Sequence, residues 1–181
     1  ILVDPFCGSG TFPIEAAMIS ANIAPGVNRI FTAETWKHLV PASVWNDSRD
    51  EALDLETPNV ETDLQGYDID PAAIAAAREN ARLAGVDKLI HFQTRGVEVL
   101  SHPNKYGFLI TNPPYGERLL DVKEAEKLYK IMGEQFERGD GQKYYVISPH
   151  DEFEKHFGAI ADKRRKLYNG MIKCQLFMYF K

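Results

Sequence analysis

The sequence contains only two cysteines among its 181 residues, Cys7 and Cys174, and they do not form a Cys-x-x-Cys pair. This spacing gives neither a disulfide framework nor a zinc-finger ligand set, and it favours a reducing compartment, the cytoplasm. The five histidines lack the HxxxH spacing of a helical metal site, and no carboxylate cluster accompanies them, so we expect no bound metal. No apolar run is long enough to cross a bilayer, and we expect no membrane partner.

Positive charge is also scarce, because 21 Lys and Arg face 26 Asp and Glu, for a formal net charge of -5. A domain that holds nucleic acid by phosphate neutralisation alone usually carries an excess of basic residues. If the substrate is a nucleic acid, we therefore expect another module to do much of the holding. The chain begins with an apolar, strand-like run and no methionine, which suggests one domain, residues 1–181, of a larger protein.

The first glycine-rich loop lacks the marks of the common nucleotide sites. Its Gly8-Ser9-Gly10 is not the GxGxxG of a dinucleotide fold, and the lysine of a phosphate loop is missing. The loop lies between a short apolar strand and a helical pattern over residues 12–21. Asp4 before the loop would repel a pyrophosphate but could hold an ammonium group. The pattern favours the methionine end of S-adenosylmethionine as ligand, although an ordinary tight turn would use the same two glycines.

The second informative stretch is a strand that ends in an acid, just before an alanine-rich helix predicted over residues 72–84. An acid at this point can accept hydrogen bonds from ribose hydroxyls while a neighbouring apolar side chain covers the adenine ring. We assign these roles to Asp68 and Ile69. Asp70 is equally consistent with a simple helix cap.

A third strand, predicted over residues 89–94, leads into a loop that faces the expected cofactor. In related sites an acid near the start of this loop contacts the adenine amine, but no acid occupies the first positions here. Glu98 follows one or two residues too late for this role. The backbone around Gly96 is the alternative contact, and the sequence leaves the choice open.

The most specific motif is Asn112-Pro113-Pro114-Tyr115, which follows an apolar strand-like run. The Asn112 side-chain oxygen and the Pro113 carbonyl can accept both hydrogens of a planar amine, whose delocalised lone pair is otherwise a poor nucleophile. Pro113 and Pro114 fix the loop in advance, and Tyr115 can stack on an extruded base. A proline-rich turn with a packed tyrosine is the less specific interpretation.

Two other regions carry weaker signals. Between the first helix and the second strand, residues 22–63 predict one or two helices, with a helical pattern over 43–55. This region contains Phe31, Trp36 and Trp45. We expect these aromatic side chains to pack in a core rather than stack on bases. After a helix predicted over 122–136, the end of the chain predicts a hairpin that turns at Asn169-Gly170. Four bases at residues 163–166 could contact phosphate or only protect a strand edge with charge.

Four of these stretches, at residues 4–11, 22–26, 66–70 and 112–119, together resemble the methyltransferase domain of the THUMP-associated RNA guanine-N2 methyltransferases, a family often labelled as N6-adenine-specific DNA methylases. The resemblance extends over the whole chain, including Leu-Tyr-Asn-Gly at 167–170. It implies an α/β fold, a Rossmann-like seven-stranded sheet in the order 3-2-1-4-5-7-6 whose last strand is antiparallel. It also implies that the RNA-binding THUMP region, which normally precedes the first strand, lies outside this sequence.

The resemblance further implies S-adenosylmethionine as methyl donor and structured RNA, in bacteria large-subunit ribosomal RNA, as acceptor. By position, a group of residues would bind the cofactor and a second group would act on the target amine. The cofactor group is Asp4, Phe6, Gly8, Gly10, Thr11, Asp68, Ile69, Gly96 and Asn112, and the catalytic group is Asn112, Pro113, Pro114 and Tyr115. Adenine-N6 methylation of DNA or RNA is the nearest alternative, and an inactive cofactor-binding interaction module is the alternative of another class.

Overall fold

The computed structural model describes residues 1–100, 107–115, 122–136 and 141–180 of the chain. These residues form a seven-stranded sheet with helices on both faces, the α/β arrangement that the sequence predicts. The last four residues of the predicted motif at 112–119 lie outside the described ranges. The strands in chain order are β1 (Leu2–Asp4), β2 (Leu64–Asp68), β3 (Ile90–Thr94), β4 (Gly107–Thr111), β5 (Gln142–Ser148), β6 (Lys163–Asn169) and β7 (Ile172–Tyr179).

The strands pair in the order β3-β2-β1-β4-β5-β7-β6, which confirms the order implied by the family resemblance. Strand β7 runs antiparallel to both β5 and β6, and the remaining pairs are parallel. In the parallel register Asp4 lies beside Gly66, and Thr111 lies beside Val146. The carboxyl ends of β1, β2, β4 and β5 therefore meet at one edge, where ligands bind in open α/β sheets.

The helices follow the predicted positions to within one or two residues at most ends. They are α1 (Thr11–Ser20), α2 (Ala42–Asp54), α3 (Pro71–Leu83), α4 (Val122–Gln135) and α5 (Phe153–Phe157). Short 3-10 turns occur at Thr32–Thr35, Asp87–Leu89 and Val97–Val99. Within the described ranges, no helix combines the length and the apolar character that a bilayer crossing requires.

Two apolar clusters occupy the two faces of the sheet, because alternate side chains of a strand point to opposite faces. In β2, Leu64 belongs to one cluster and Tyr67 to the other. The Leu64 cluster packs under α1 and α3 through buried alanines, which allow these helices to lie close to the sheet. The Tyr67 cluster packs under α4 and α5 and is rich in aromatic rings, among them Tyr129 and Phe153. The helix predicted over residues 122–136 is confirmed as α4, whose buried residues Ala125, Tyr129 and Met132 belong to this cluster.

The core packing expected for the aromatics of residues 22–63 is wrong in part. Helix α2 has no buried residue, and Trp36 is 51% exposed. Phe31 and Trp45 are partly buried, but they stack on each other with ring centroids 6.1 Å apart instead of joining either sheet cluster. The physical reason is that this segment is an insertion between α1 and β2. Within the described residues it makes few contacts with the strands and the other helices.

Candidate active site

The structure brings most of the predicted site residues to the edge formed by the carboxyl ends of the parallel strands. Asp4 and Asp68 are the last residues of β1 and β2, and Asn112 follows the last residue of β4. The turn at Val97–Val99, beside Gly96, follows β3 at the same edge. The sequence order of these motifs thus becomes one spatial cluster.

Asp4 connects the glycine loop with the strand end that precedes the Asn-Pro-Pro-Tyr motif. Its carboxylate is 1% exposed and accepts hydrogen bonds from the Thr111 hydroxyl at 2.6 Å and from the Phe6 backbone N–H at 3.1 Å. Burial raises the pKa of Asp4 to about 7, although both hydrogen bonds favour the ionised form, and the nearby Asp68 carboxylate raises the pKa further. Because Thr111 directly precedes Asn112, any change in the charge of Asp4 acts next to the glycine loop and also next to Asn112.

The glycine loop leaves its backbone open to a ligand. Gly8 and Gly10 both have positive φ, 53° and 89°, a region that glycine adopts without steric cost. A side chain at Gly8 would meet nothing within 4 Å, so there is open space at this position. Gly10 precedes Thr11, the first residue of α1, where free backbone N–H groups can receive a carboxylate.

Asp68 holds the glycine loop in place. One carboxylate oxygen accepts from the Gly8 N–H at 3.0 Å and the other accepts from the Asp70 N–H at 3.0 Å. A carboxylate oxygen has a second lone pair, so both remain able to accept from a ligand hydroxyl. Ile69, between the two acids, is 72% exposed, as expected of a side chain that covers a ring. Asp70 accepts from the Ala72 N–H at 2.8 Å, and its role is therefore the cap of α3.

Glu98 lies closer to the site than its sequence position suggests. A side chain placed at Gly96 would overlap the Glu98 carboxylate, so this carboxylate folds back over Gly96. The 3-10 turn at Val97–Val99 reverses the chain and produces the approach. Spacing along an extended chain does not reveal this proximity of the Glu98 carboxylate to Gly96.

Asn112 carries an acceptor that has no partner within the described chain. Its side-chain oxygen is fully buried and makes no hydrogen bond there. Leaving a buried acceptor unpaired costs about 1–3 kcal/mol, and such a group calls for an explanation such as a catalytic role or an ordered water. Pro113 is buried beside it, and Pro114 and Tyr115 are partly buried. A donor supplied by a ligand would satisfy the Asn112 oxygen.

Several residues of this edge were missed by the sequence analysis. The Asn169 side-chain amide donates to the Tyr115 hydroxyl at 2.5 Å, across 54 positions of sequence. The Ser148 hydroxyl, at the end of β5, donates to the hydroxyl of the buried Tyr129 at 3.3 Å, and burial raises the pKa of Tyr129. Neither the periodicity of apolar residues nor the spacing of motifs predicts these contacts, because each contact joins elements that are distant along the chain.

A second missed group joins α4, α5 and the end of β5. The Glu126 carboxylate lies 3.5 Å from His150 Nε2 and 3.4 Å from His156 Nε2. These three side chains could in principle hold a metal ion. His150 Nδ1 accepts a hydrogen bond from the Glu152 N–H at 3.2 Å. His156 Nε2 is buried and has no hydrogen-bond partner among the described residues, so the three side chains form a close cluster between α4, α5 and the end of β5.

The fold and the site define a class. The sheet order, the glycine loop after β1, the acid that ends β2 and the Asn-Pro-Pro-Tyr motif after β4 are those of a Rossmann-like, S-adenosylmethionine-dependent methyltransferase domain. The open space at Gly8, the exposed Ile69 and the buried Asp4 fit this cofactor. The chain belongs to the RMKL-like methyltransferase domain family (UPF0020), whose model matches residues 1–177.

Relatives and solved structures agree with this class. The chain is 41% identical over 178 residues to YpsC of Bacillus subtilis, provisionally named an RNA methyltransferase. The alignment covers 98% of this chain and 46% of that protein. It is 42% identical over 182 residues to the ribosomal RNA large subunit methyltransferase K/L of Syntrophotalea carbinolica, covering 97% of this chain and 26% of that protein. The chain thus spans between about a quarter and a half of the length of these relatives.

Two crystal structures superpose closely on the whole chain. SMU.472, provisionally described as a methyltransferase and crystallised with SAH, has a TM-score of 0.93 and 41% identity, with 99% of this chain and 47% of that chain covered. A Listeria monocytogenes protein with the provisional name N6-adenine-specific DNA methylase has a TM-score of 0.89 and 42% identity, with 99% and 46% covered. The name of YpsC gives RNA as the substrate, whereas the name of the Listeria protein gives DNA. Likeness alone therefore does not choose between RNA and DNA.

Proposed function

We propose that the chain transfers a methyl group to the exocyclic 2-amino group of a guanine in RNA, with large-subunit ribosomal RNA as the substrate. The observation that carries this proposal is the buried, unpartnered side-chain oxygen of Asn112 at the carboxyl end of β4. An amine hydrogen is the donor that it lacks. The adjacent Pro113 contributes a backbone carbonyl as the second acceptor.

The cofactor supplies an electrophilic methyl group, and the chain positions it at the edge of the sheet. Asp4 lies where it can attract the positive amine of the methionine end, and Asp68 can accept from the ribose hydroxyls. Ile69 covers one face of the adenine, and the Gly96 loop with Glu98 offers an acceptor for the adenine amine. The remaining contacts come from the glycine loop and the start of α1, through Phe6, Gly8, Gly10 and Thr11.

The target amine needs activation because its lone pair is delocalised into the ring. Two acceptors, Asn112 Oδ1 and the Pro113 carbonyl, hold the two hydrogens and favour a tetrahedral nitrogen whose lone pair can attack. The N–C bond would form as the bond between the methyl carbon and the donor sulfur breaks, and the proton then released from nitrogen would pass along one of these hydrogen bonds to water. The prolines at 113 and 114 hold the loop in this arrangement before the substrate arrives, and Tyr115 stacks on the base at about 1–3 kcal/mol.

The choice of RNA rests on the relatives that carry RNA methyltransferase names. The net charge of -5 fits a catalytic domain whose RNA is held mainly by a THUMP module elsewhere in the full protein. Both cysteines are free and buried, which agrees with the proposed cytoplasmic location.

Nucleoside mass spectrometry of RNA and of DNA from a strain that lacks the gene tests the proposal. We expect N2-methylguanosine to fall in the large-subunit ribosomal RNA and to return when the gene is restored. Loss of N6-methyladenosine instead would assign the same two acceptors to adenine, the chemistry named for the Listeria structure. Unchanged methylation of RNA and DNA would contradict both enzymatic proposals and favour an interaction module.

A further inference from the structure

The β6–β7 hairpin projects beyond the catalytic edge of the sheet. Strand β5 ends at Ser148, which pairs with Gln175 of β7. Beyond this point β6 and β7 continue to pair with each other for three more residue pairs, from Leu167↔Cys174 to Asn169↔Ile172. At about 3.4 Å per residue, the hairpin extends roughly 10 Å past the end of β5. It therefore forms a wall beside the point where the catalytic loop leaves β4.

The wall contacts the catalytic motif directly. Tyr115, the last residue of Asn-Pro-Pro-Tyr, accepts a hydrogen bond at 2.5 Å from the side-chain amide of Asn169 at the tip of β6. Because this bond is made to the hydroxyl, at the end of the ring opposite its backbone attachment, the ring is held at both ends. A stacking ring fixed in this way does not have to be ordered when a base arrives.

The outer surface of the hairpin suits a nucleic acid. Tyr168 is 60% exposed, Met171 is 98% exposed, and Lys166 Nζ lies 5.2 Å from the centre of the Tyr168 ring. Of the four bases that begin β6, Arg164 pairs with Glu154, whereas Lys163, Arg165 and Lys166 make no ion pair with described residues. In a chain of net charge -5, this is a local concentration of positive charge, and Lys166 lies level with Ser148 at the end of β5.

We propose that the β6–β7 hairpin is the surface that receives the RNA next to the target nucleotide, with Asn169 as the positioning residue for Tyr115. Arg165 and Lys166 contact phosphates of the flanking nucleotides, and Tyr168 offers an exposed ring for a neighbouring base. Because side chains alternate along a strand, Arg165 shares one face of β6 with Asn169, and Lys166 shares the other face with Tyr168. This inference rests on the proposed function, because it assumes an RNA substrate at the Asn112 site. A charged edge that only prevents aggregation would not require a hydrogen bond to the catalytic loop.

The positioning role is tested by a double-mutant cycle in the full-length protein. Asn169→Ala and Tyr115→Phe each remove one partner of the bond, and each should lower kcat on undermodified RNA about five- to tenfold. The double variant should be no slower than the slower single variant, because the shared interaction is already lost. Cofactor affinity and Tm should stay at the parent's values. Additive losses, or a fall in Tm that parallels the loss of rate, would overturn the positioning role.

The binding role is tested by RNA affinity at several salt concentrations. Arg165→Ala and Lys166→Ala should each weaken binding and reduce the slope of log affinity against log salt by roughly 0.7 to 1. Lys130→Ala, which removes an exposed base on α4, is the control and should bind as the parent does. If the parent methylates RNA but the hairpin variants bind like the control, the hairpin is not the surface for RNA. If the parent does not methylate RNA, the proposed function fails and this inference with it.

Discussion

The raised pKa of Asp4 predicts that this carboxylate destabilises the folded protein above neutral pH. In the unfolded chain Asp4 ionises near 3.8, whereas in the fold it ionises near 7, mainly because burial disfavours the charge. Between these two pKa values the folded state binds one proton more than the unfolded state. The stabilisation that this proton gives is fully present below pH 4 and is lost as the pH rises to about 7. The difference of about 3 pKa units corresponds to about 4 kcal/mol.

Asp4→Asn should remove this dependence, because the amide has nearly the same shape, cannot ionise and still offers an oxygen to Thr111 and Phe6. Denaturant unfolding of the parent and the variant at pH 5 and pH 8 provides the comparison. The variant's advantage should grow by about 3 kcal/mol between these pH values and then level off. A difference between the two proteins that does not change with pH would refute the reasoning.

The same carboxylate links cofactor binding to protons. If the positive amine of the cofactor lies near Asp4, binding favours the ionised form, so a proton should be released and affinity should rise through pH 7. Calorimetry in two buffers of different ionisation enthalpy measures the released proton. Binding by Asp4→Asn that is as tight as the parent's, with no proton released by either protein, would remove Asp4 from the cofactor site.

Three further predictions concern the glycine loop, the cofactor site and the helix contact. Burial raises the pKa of the Cys7 thiol to about 12, so native protein at pH 8 should resist alkylation at Cys7, and unfolded protein should react. Asp68→Ala should lower cofactor affinity at least tenfold, whereas Asp70→Ala should cost about 1 kcal/mol of stability with affinity unchanged, as calorimetry and denaturation can show. Gly133→Ala should destabilise the fold by about 2 kcal/mol or more in denaturant, because its methyl group would overlap the Phe157 carbonyl oxygen.

Local sequence signals predicted the elements well. The spacing of apolar residues over 122–136 predicts the buried face of α4, and Pro71 with Gly85 predicts the ends of α3. These features follow from short-range geometry, which a sequence contains directly. The strand order, by contrast, came from family resemblance, because periodicity alone does not say which strands are neighbours.

The residues of the candidate site that belong to a sequence motif could be predicted. The contacts between segments that are distant along the chain could not. Asn112 and Asp68 stand out as polar groups at strand ends, and their positions follow once the sheet is parallel. The Asn169 contact with Tyr115 depends on how far a hairpin projects, and the approach of Glu98 to Gly96 depends on a single turn. Large aromatics are commonly buried, which predicts a core position for Trp36, but its side chain is 51% exposed.

The central claim is that the Asn112 oxygen activates the target amine, and single-turnover methyl transfer to undermodified RNA tests it most directly. Asn112→Ala should lower the rate of transfer by at least about 100-fold, with cofactor affinity within about twofold of the parent's. Asn46→Ala, an exposed asparagine on α2, serves as control and should keep the parent's rate. Transfer by Asn112→Ala at the parent's rate, or a loss explained entirely by weaker cofactor binding, would contradict the account.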